Sequence, residues 1–97
     1  MGGIAVTRKD QTDRAIADYD EAIRIKPNAV NYTNRGSSYH DKRDLDRALA
    51  DYNEAILLDP KYAIAHSDRG KLYHDKGDFD RAIADYDQAI RLDPRYA

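Results

Sequence analysis

The amino-acid sequence predicts an all-α fold, a right-handed superhelical stack of antiparallel helix-turn-helix hairpins of the α-solenoid type. The first observation is a repeat: residues 29–62 and 63–96 align without a gap at a spacing of 34 residues and share 20 of 34 positions. The second is that apolar residues within each unit recur three and four places apart, which is the spacing of one face of an α-helix. Such repeats bury their apolar faces against neighbouring units.

The 97-residue chain is therefore predicted to form one domain with about two and a half units. The earliest unit is partial, because the segment DRAIADY at 13–19 recurs as DRALADY at 46–52 and as DRAIADY at 80–86. Each of these segments belongs to the second helix of a unit, so the first helix of the leading unit is expected to be largely absent. The predicted boundaries are 1–28 for the partial unit, and 29–62 and 63–96 for the full units.

Each full unit contains two amphipathic helical patterns. In the unit 29–62, Tyr32, Gly36 and Tyr39 mark the first helix. The second helix is marked by an apolar face made of Leu45, Ala48, Leu49, Tyr52, Ala55 and Ile56. A proline follows each second helix and ends it, because proline lacks an amide hydrogen and restrains the residue before it; these are Pro27, Pro60 and Pro94.

The turn inside each hairpin is marked by capping residues. Asp44 and Asp78 are predicted to accept hydrogen bonds from the free amides that begin the second helices. Gly77 is suited to the left-handed conformation that ends a first helix, and Arg43 stands at the equivalent position of the other unit. A positive φ at a residue other than glycine costs about 1 kcal/mol, so the turn at Arg43 is expected to be the less stable one.

Composition excludes several classes of function. The 16 basic and 18 acidic residues are interspersed and give a net charge of -2, whereas a dedicated nucleic-acid binder normally has a basic stripe. The absence of cysteine excludes disulfides, thiolate catalysis and cysteine zinc sites. No apolar run is long enough for a signal peptide or a membrane span, so a cytoplasmic location is expected. No cofactor is expected.

The repeat is similar to that of the tetratricopeptide repeat family. That family places an aromatic, Leu-Gly, Tyr, Ala, a second aromatic and Pro at fixed spacings within 34 residues. The matching residues here are Tyr32, Arg35, Gly36, Tyr39, Ala48, Tyr52 and Pro60, then His66, Arg69, Gly70, Tyr73, Ala82, Tyr86 and Pro94, with Ala15, Tyr19 and Pro27 in the partial unit. The pentatricopeptide alternative is disfavoured, because it usually runs at 35 residues and needs a more basic groove.

The resemblance implies a non-catalytic scaffold that binds a peptide or a partner segment. In this family the first helices of successive units line a concave groove. The outward positions that are expected to line it here are Val30, Thr33, Asn34, Ser37, His40 and Asp41, with Ile64, Ser67, Asp68, Lys71, His74 and Asp75. A groove two helices wide is expected to bury less than about 1,200 Å² in a complex, as weak or transient interfaces do.

One subgroup of the family grips the C-terminal carboxylate of chaperones with lysine, asparagine and arginine. Asn34 is compatible with the asparagine, but Ile64 and Asp68 stand where the lysine and the arginine are wanted. Binding of chaperone tails is therefore not expected. The carboxylates of Asp41, Asp68 and Asp75 favour a cationic or neutral peptide instead.

Arg35 and Arg69 depart from the family pattern, because they replace an apolar residue on a helix face that should be largely covered. A guanidinium at such a place needs a partner. We predict the structural ion pairs Arg35–Asp51 and Arg69–Asp85, with Asp51 as an alternative partner of Arg69 across the unit boundary. The recurrence of this chemistry in both full units favours a structural role over an anion-binding site.

No catalytic or metal site is predicted. His40 and His74 precede aspartates on successive first helices, but neighbouring helices lie about 8 to 10 Å apart, which is too far for one ion to bridge without convergent side chains. The segment 75–80 lacks the glycine position and the terminal glutamate of a calcium loop, and its aspartates are better explained as helix caps. No serine has a base marked beside it.

Self-assembly is the alternative function. Repeat proteins normally carry polar capping helices, and their absence here suggests homo-oligomerisation or a chain that is a fragment or an engineered piece of a longer array. Met1 to Lys9 are few residues to cover the leading unit, and Gly2-Gly3 is a poor helix start. The residues expected to associate are Ile16, Tyr19, Ile23, Ala82, Tyr86, Ala89 and Ile90.

Overall fold

A computed structural model describes residues 7–96 and shows, over that range, a stack of five α-helices without strands. The helices are α1 (Arg8–Ile25), α2 (Ala29–Asp41), α3 (Leu45–Leu58), α4 (Ala63–Asp75) and α5 (Phe79–Leu92), followed by a short 3₁₀ turn at Pro94–Tyr96. The pairs α2–α3 and α4–α5 form antiparallel hairpins, α1 packs on α2, and α4 packs on both α3 and α2. The predicted all-α solenoid is confirmed. None of the described helices is long and apolar enough to cross a membrane.

Helix α1 begins one turn earlier than its repeat equivalents. Thr7 caps it by accepting from the amide of Asp10 at 3.0 Å, and the Asp10 side chain accepts from the Thr7 amide in return. This capping box satisfies amides that would otherwise be free at the helix start. The position equivalent to Leu45, where α3 begins, is Thr12 inside α1. The predicted poor helix start at Gly2-Gly3 lies outside the described residues.

The two hairpin turns have the predicted geometry. Arg43 has φ of 67° and Gly77 has φ of 81°, so both residues occupy the left-handed region. The side chains of Asp44 and Asp78 then accept from the amides three residues on, at 3.3 and 3.2 Å. The turn at Arg43 thus carries strain that its glycine equivalent avoids.

Small residues allow the helices to approach closely at the centre of each hairpin. One apolar cluster joins Ala29, Ala55 and Ala65 from three helices, and a second joins Ala48, Tyr52 and Leu72. At the two helix crossings, a methyl group on Gly36 would lie 2.7 Å from a ring carbon of Tyr52, and one on Gly70 would lie 2.8 Å from a ring carbon of Tyr86. Only glycine fits there without displacement of the ring.

Several residues that were expected to form an uncovered end are instead buried. Ala82 and Ala89 are only 2% and 1% exposed, and Ile16 is 8% exposed. Tyr19, Ile23, Tyr86 and Ile90 are partly covered. The sequence argument did not separate the two faces of a second helix, because Ala82 and Ala89 lie on the face that packs within their own hairpin. The exposed apolar side chains of α5 are Phe79 and Ile83.

Candidate peptide-binding groove

Helices α2 and α4 pack side by side and bring most of the predicted groove positions onto one surface. We call this surface the α2–α4 groove, and it comprises Val30, Asn34, Ser37, His40, Asp41, Ile64, Asp68, Lys71, His74 and Asp75. Two predicted members do not belong to it, since Thr33 and Ser67 are buried. Each lies three residues before a glycine at a helix crossing and therefore shares the covered face of its helix.

The beginning of the groove is apolar. Val30 and Ile64 stand at equivalent places near the start of α2 and α4, and they are 45% and 41% exposed. Asn34 follows Val30 one turn later and is partly exposed. Two apolar side chains beside an amide offer a surface for an uncharged stretch of peptide, since the amide donates and accepts hydrogen bonds.

The centre of the groove contains a partly buried carboxylate. Ser37 on α2 donates a hydrogen bond to Asp68 on α4 at 3.2 Å, and the Ser37 hydroxyl also lies 3.3 Å from the phenol oxygen of Tyr52. These side chains line a cavity of about 270 Å³ together with His40, Asp41 and Lys71. Burial raises the pKa of the Asp68 carboxyl and of the Tyr52 phenol.

The cation nearest to Asp68 is weakly engaged. The Lys71 ammonium is 3.9 Å from the Asp68 carboxylate, and the lysine side chain is 64% exposed. A contact of that length at the surface contributes little energy. The Asp68 carboxylate therefore keeps free acceptor capacity toward the cavity.

The far end of the groove is held together by a second carboxylate. Asp75 on α4 accepts from His40 Nε2 on α2 at 2.6 Å and from Arg43 at 3.3 Å. The hydrogen bond from His40, together with that from Arg43, holds the pKa of the Asp75 carboxyl below its usual range. Because Asp75 is already paired in this way, it has less free acceptor capacity than Asp68, and it ties the two first helices to each other.

The histidines do not converge with acids into a metal centre in the part of the chain that the structure describes. His40 is hydrogen-bonded to Asp75, and His74 Nδ1 lies 3.9 Å from the other oxygen of the same carboxylate. The His74 ring instead makes an edge contact with Phe79 at a centroid distance of 5.2 Å.

The structure contains both predicted arginine–aspartate pairs, and they lie beneath the groove rather than in it. Arg35 donates to the two oxygens of Asp51 at 2.9 and 2.7 Å, and Arg69 donates to those of Asp85 at 2.8 Å each. Both carboxylates are buried, whereas each guanidinium side chain is 22% exposed. Two parallel charge-assisted bonds of this kind fix orientation as well as charge.

Each of these arginines has a third guanidinium nitrogen, Nη1, whose partner was not predicted from the sequence. Arg35 Nη1 donates to Asp20 of α1 at 2.9 Å, and Arg69 Nη1 donates to Asn53 of α3 at 2.9 Å. Asp20 and Asn53 occupy equivalent repeat positions on the preceding second helix. The alternative prediction that Arg69 pairs with Asp51 is therefore wrong, because its partner on α3 is Asn53, about half a turn further along that helix. The repeat alignment could have identified this partner, since Asp20 and Asn53 are equivalent in it.

Aromatic rings flank these arginines. The Tyr39 ring lies 5.9 Å from the guanidinium carbons of both Arg35 and Arg47, and Tyr73 lies 5.9 and 5.8 Å from those of Arg69 and Arg81. Such contacts favour a cation over a neutral group at the arginine position. They explain why an arginine is stable where the repeat pattern has an apolar residue.

Comparison with known proteins gives one consistent result. Three family models match: a TPR repeat model over residues 36–77, and two tetratricopeptide repeat models over residues 63–96 and 7–28. A curated relative, the chloroplastic tetratricopeptide repeat domain-containing protein PYG7 of Arabidopsis thaliana, is 33% identical over 64 residues, or 65% of this chain. The chain spans only 21% of that relative's length.

Solved structures are similar over most of the chain. The Arabidopsis OM64 TPR domain superposes with a TM-score of 0.84 at 30% identity and covers 88% of this chain and 71% of its own. The first TPR of Spaghetti (RPAP3), bound to the HSP90 peptide SRMEEVD, has a TM-score of 0.82 at 31% identity, and the match covers 90% of this chain and 70% of that one. The second TPR of that protein, bound to the same peptide, has a TM-score of 0.80 at 29% identity, and the match covers 89% of this chain and 81% of that one.

The hairpin architecture, the 34-residue repeat and these matches agree with one another. Domains of this fold are in general protein-interaction modules. The chain belongs to the tetratricopeptide repeat family.

Proposed function

We propose that this chain is a non-catalytic interaction scaffold that binds an extended peptide segment in the α2–α4 groove. The segment is apolar or neutral where it meets Val30 and Ile64, and it places a basic or hydrogen-bond-donating side chain at Asp68. A cytoplasmic location goes with this proposal and stays a prediction.

The observation that supports the proposal is that the Asp68 carboxylate is partly buried and only weakly paired with a cation. Its side chain is 20% exposed and opens on the central cavity, and Ser37 is its hydrogen-bond donor among the described residues. A partly desolvated carboxylate whose nearest cation, Lys71, is only weakly engaged gains free energy when a ligand ammonium or guanidinium approaches, because a charge-assisted hydrogen bond is about twice as strong as a neutral one.

The same residue argues against an acidic ligand. Two of the similar structures hold the acidic peptide SRMEEVD, but this chain has Ile64 and Asp68 where a carboxylate-gripping groove needs lysine and arginine. An acidic tail at Asp68 would bring two negative charges together at the centre of the groove. We therefore propose a ligand of opposite character to SRMEEVD.

A selection from a random peptide library displayed on phage tests this function. Selected sequences are expected to be enriched in Lys or Arg at one position, and their binding is expected to fall at least tenfold with Asp68→Lys. The matched control is Asp18→Lys, which makes the same charge change at an exposed position of α1. Equal losses with both variants, or selected peptides rich in Asp and Glu, would contradict the proposal.

Self-association is the second candidate, because Phe79 and Ile83 on α5 are 56% and 58% exposed. Exposed apolar patches of this kind often mark interaction sites. Light scattering over a concentration series separates the two functions. A strict monomer at high concentration excludes oligomerisation as the main role, whereas a stable oligomer leaves peptide binding to be decided by the selection.

A further inference from the structure

His40 lines two neighbouring cavities. On one side it lines the central cavity of about 270 Å³, which contains the Asp68 carboxylate. On the other side it lines a second cavity of about 440 Å³, together with Arg43 and Asp75. The His40 side chain is only 18% exposed, so a charge on its ring is less screened by water than a charge on a fully exposed side chain.

The hydrogen bond to Asp75 determines where the His40 ring takes up a second proton. An ionised carboxylate only accepts hydrogen bonds, so His40 Nε2 is the donor in this contact of 2.6 Å. Because the same bond holds the pKa of the Asp75 carboxyl below its usual range, the carboxylate stays ionised at mildly acidic pH. The second proton therefore enters at Nδ1, and the ring becomes cationic while its bond to Asp75 is kept.

The other charged side chains of the two cavities form a nearly constant background near neutral pH. Arginine and lysine side chains are cationic throughout the range in which histidine titrates. The Tyr52 phenol stays neutral there, because burial raises its pKa. Besides Asp68 and Asp75, the titratable and charged side chains that share these cavities with His40 are Arg8 on α1, Asp41 on α2, Arg43 in the turn, Tyr52 on α3 and Lys71 on α4.

His40 and Asp68 interact electrostatically. Burial raises the pKa of the Asp68 carboxyl, and a positive charge on His40 counteracts that rise by favouring the carboxylate. The two cations of the groove that are fixed in charge are less effective here, because Lys71 and Arg43 are each 64% exposed. A proton on His40 and a ligand cation at Asp68 are thus two positive charges beside one partly buried carboxylate, and each weakens the binding of the other.

We infer that His40 regulates peptide binding in the α2–α4 groove according to pH. When the ring is protonated, it repels a cationic ligand side chain at Asp68, so affinity falls as pH falls through the histidine range. The inference rests on the proposed function, since it requires a cationic side chain at that place. Protonation also turns the His40–Asp75 contact into a pair of opposite charges, so α2 and α4 stay joined and the loss of affinity needs no unfolding.

The first test is a calorimetric titration with the highest-affinity lysine-containing peptide from the phage selection. Between about pH 7.5 and pH 5.5, the affinity of the wild type is expected to fall about three- to tenfold more than that of His40→Gln. Glutamine can still donate to Asp75 but carries no charge. Any protonation of Asp68 itself affects both chains, so the difference between them isolates His40. A peptide with norleucine in place of the lysine should abolish this difference.

The matched control is His74→Gln. His74 is the repeat equivalent of His40, but it is 62% exposed and lies outside the set of residues that line the two cavities. The ratio of its affinities at the two pH values should equal that of the wild type, whatever its affinity at pH 7.5.

The second test needs no peptide. The imidazole signals are followed by NMR during a pH titration of the wild type, of Asp68→Asn and of Asp18→Asn. Asp68→Asn is expected to move the titration midpoint of the His40 signals to lower pH, because a nearby negative charge is removed. Asp18→Asn makes the same change at an exposed position of α1 and should leave the midpoint in place.

The possible failures are distinguishable. Equal pH dependence in the wild type and His40→Gln, with binding that still requires Asp68, would overturn this inference and leave the proposed function intact. Binding that does not depend on Asp68 at either pH would overturn both. The same His40 midpoint in the wild type and Asp68→Asn would overturn the inference without reference to any peptide.

Discussion

Replacing Arg69 by leucine is expected to destabilise the fold strongly, although the repeat pattern of the family favours an apolar residue there. Arg69 makes two hydrogen bonds of 2.8 Å to Asp85, whose side chain is 8% exposed. The leucine variant leaves that carboxylate buried and without its cation. The loss is therefore set by Asp85 rather than by the packing of the new side chain.

The magnitude follows from burial. Breaking a buried ion pair by removing one partner costs about 3–5 kcal/mol. The Arg69 side chain is 22% exposed, so water reaches the vacated position, and we expect the lower end, about 3 kcal/mol. Because hydrogen bonding to Asp85 raises the pKa of Arg69, the guanidinium stays charged throughout the accessible pH range.

Urea unfolding of Arg69→Leu, Asp85→Ala and the double variant measures the coupling between the two residues. We expect a coupling of at least about 1 kcal/mol, because the double variant no longer contains an unpaired buried charge. The matched control is the exposed pair Arg81–Asp78 of the same hairpin, at 3.3 Å, whose coupling should not exceed about 0.5 kcal/mol. Equal coupling in the two pairs would refute the argument from burial.

Four further predictions concern three single substitutions and one double substitution. Gly36→Ala should destabilise the fold by about 1–2 kcal/mol in urea unfolding, because the new methyl group would lie 2.7 Å from the ring of Tyr52, which is 1% exposed and unable to move away. An unchanged unfolding midpoint would show that the Tyr52 ring moves to make room. Arg43→Gly should stabilise by about 0.5–1 kcal/mol in the same assay by relieving the positive φ of 67°; a destabilised variant would show that the contact of Arg43 outweighs its strain. Asp68→Asn should become more stable relative to the wild type as pH rises from about 4 toward 7. Burial raises the pKa of Asp68 in the native state, so the wild-type protein loses stability as this carboxyl ionises, whereas the asparagine variant does not. A stability difference between the two proteins that does not vary with pH would count against this. Combining Ile64→Lys with Asp68→Arg should increase affinity for the acidic peptide SRMEEVD at least tenfold in a calorimetric titration, since two cations then face the peptide where the wild type has an apolar group and an acid; unchanged affinity would show that other positions control ligand charge.

The architecture could be predicted because each local sequence signal for a helix, a turn or a helix crossing occurs in both full repeat units. The residues at each helix crossing, Gly36 and Gly70, and the residues with positive φ, Arg43 and Gly77, follow directly from alignment of the two units. The buried arginine–aspartate pairs could also be predicted, since an uncompensated guanidinium in a covered position requires a carboxylate on the facing helix.

The parts that could not be predicted depend on angles around the helix axis. Sequence spacing placed Thr33 and Ser67 on the groove, but they share the helix faces of Gly36 and Gly70 and are buried. Ala82 and Ala89 were assigned to an outer face for the same reason. A pattern of period 3.6 identifies an apolar face without saying which of two packed neighbours covers its edges.

The helix start at Arg8 is a local exception. Thr7 and Asp10 form a capping box in the leading segment, and the other units contain no equivalent one turn before their second helices. Alignment with α3 places the equivalent helix start at Thr12, one turn later than Arg8. Capping chemistry in the segment itself, rather than the alignment, determines where α1 begins.

The most direct test of groove binding is an NMR titration of the isotope-labelled chain with the highest-affinity peptide from the phage selection. The account predicts that amide shifts concentrate on α2 and α4 at Asn34, Ser37, Asp68 and Lys71, and that Asp68→Lys abolishes them while Asp18→Lys does not. Shifts that map to α1 or to the outer face of α5, with the α2–α4 groove unchanged, would contradict it.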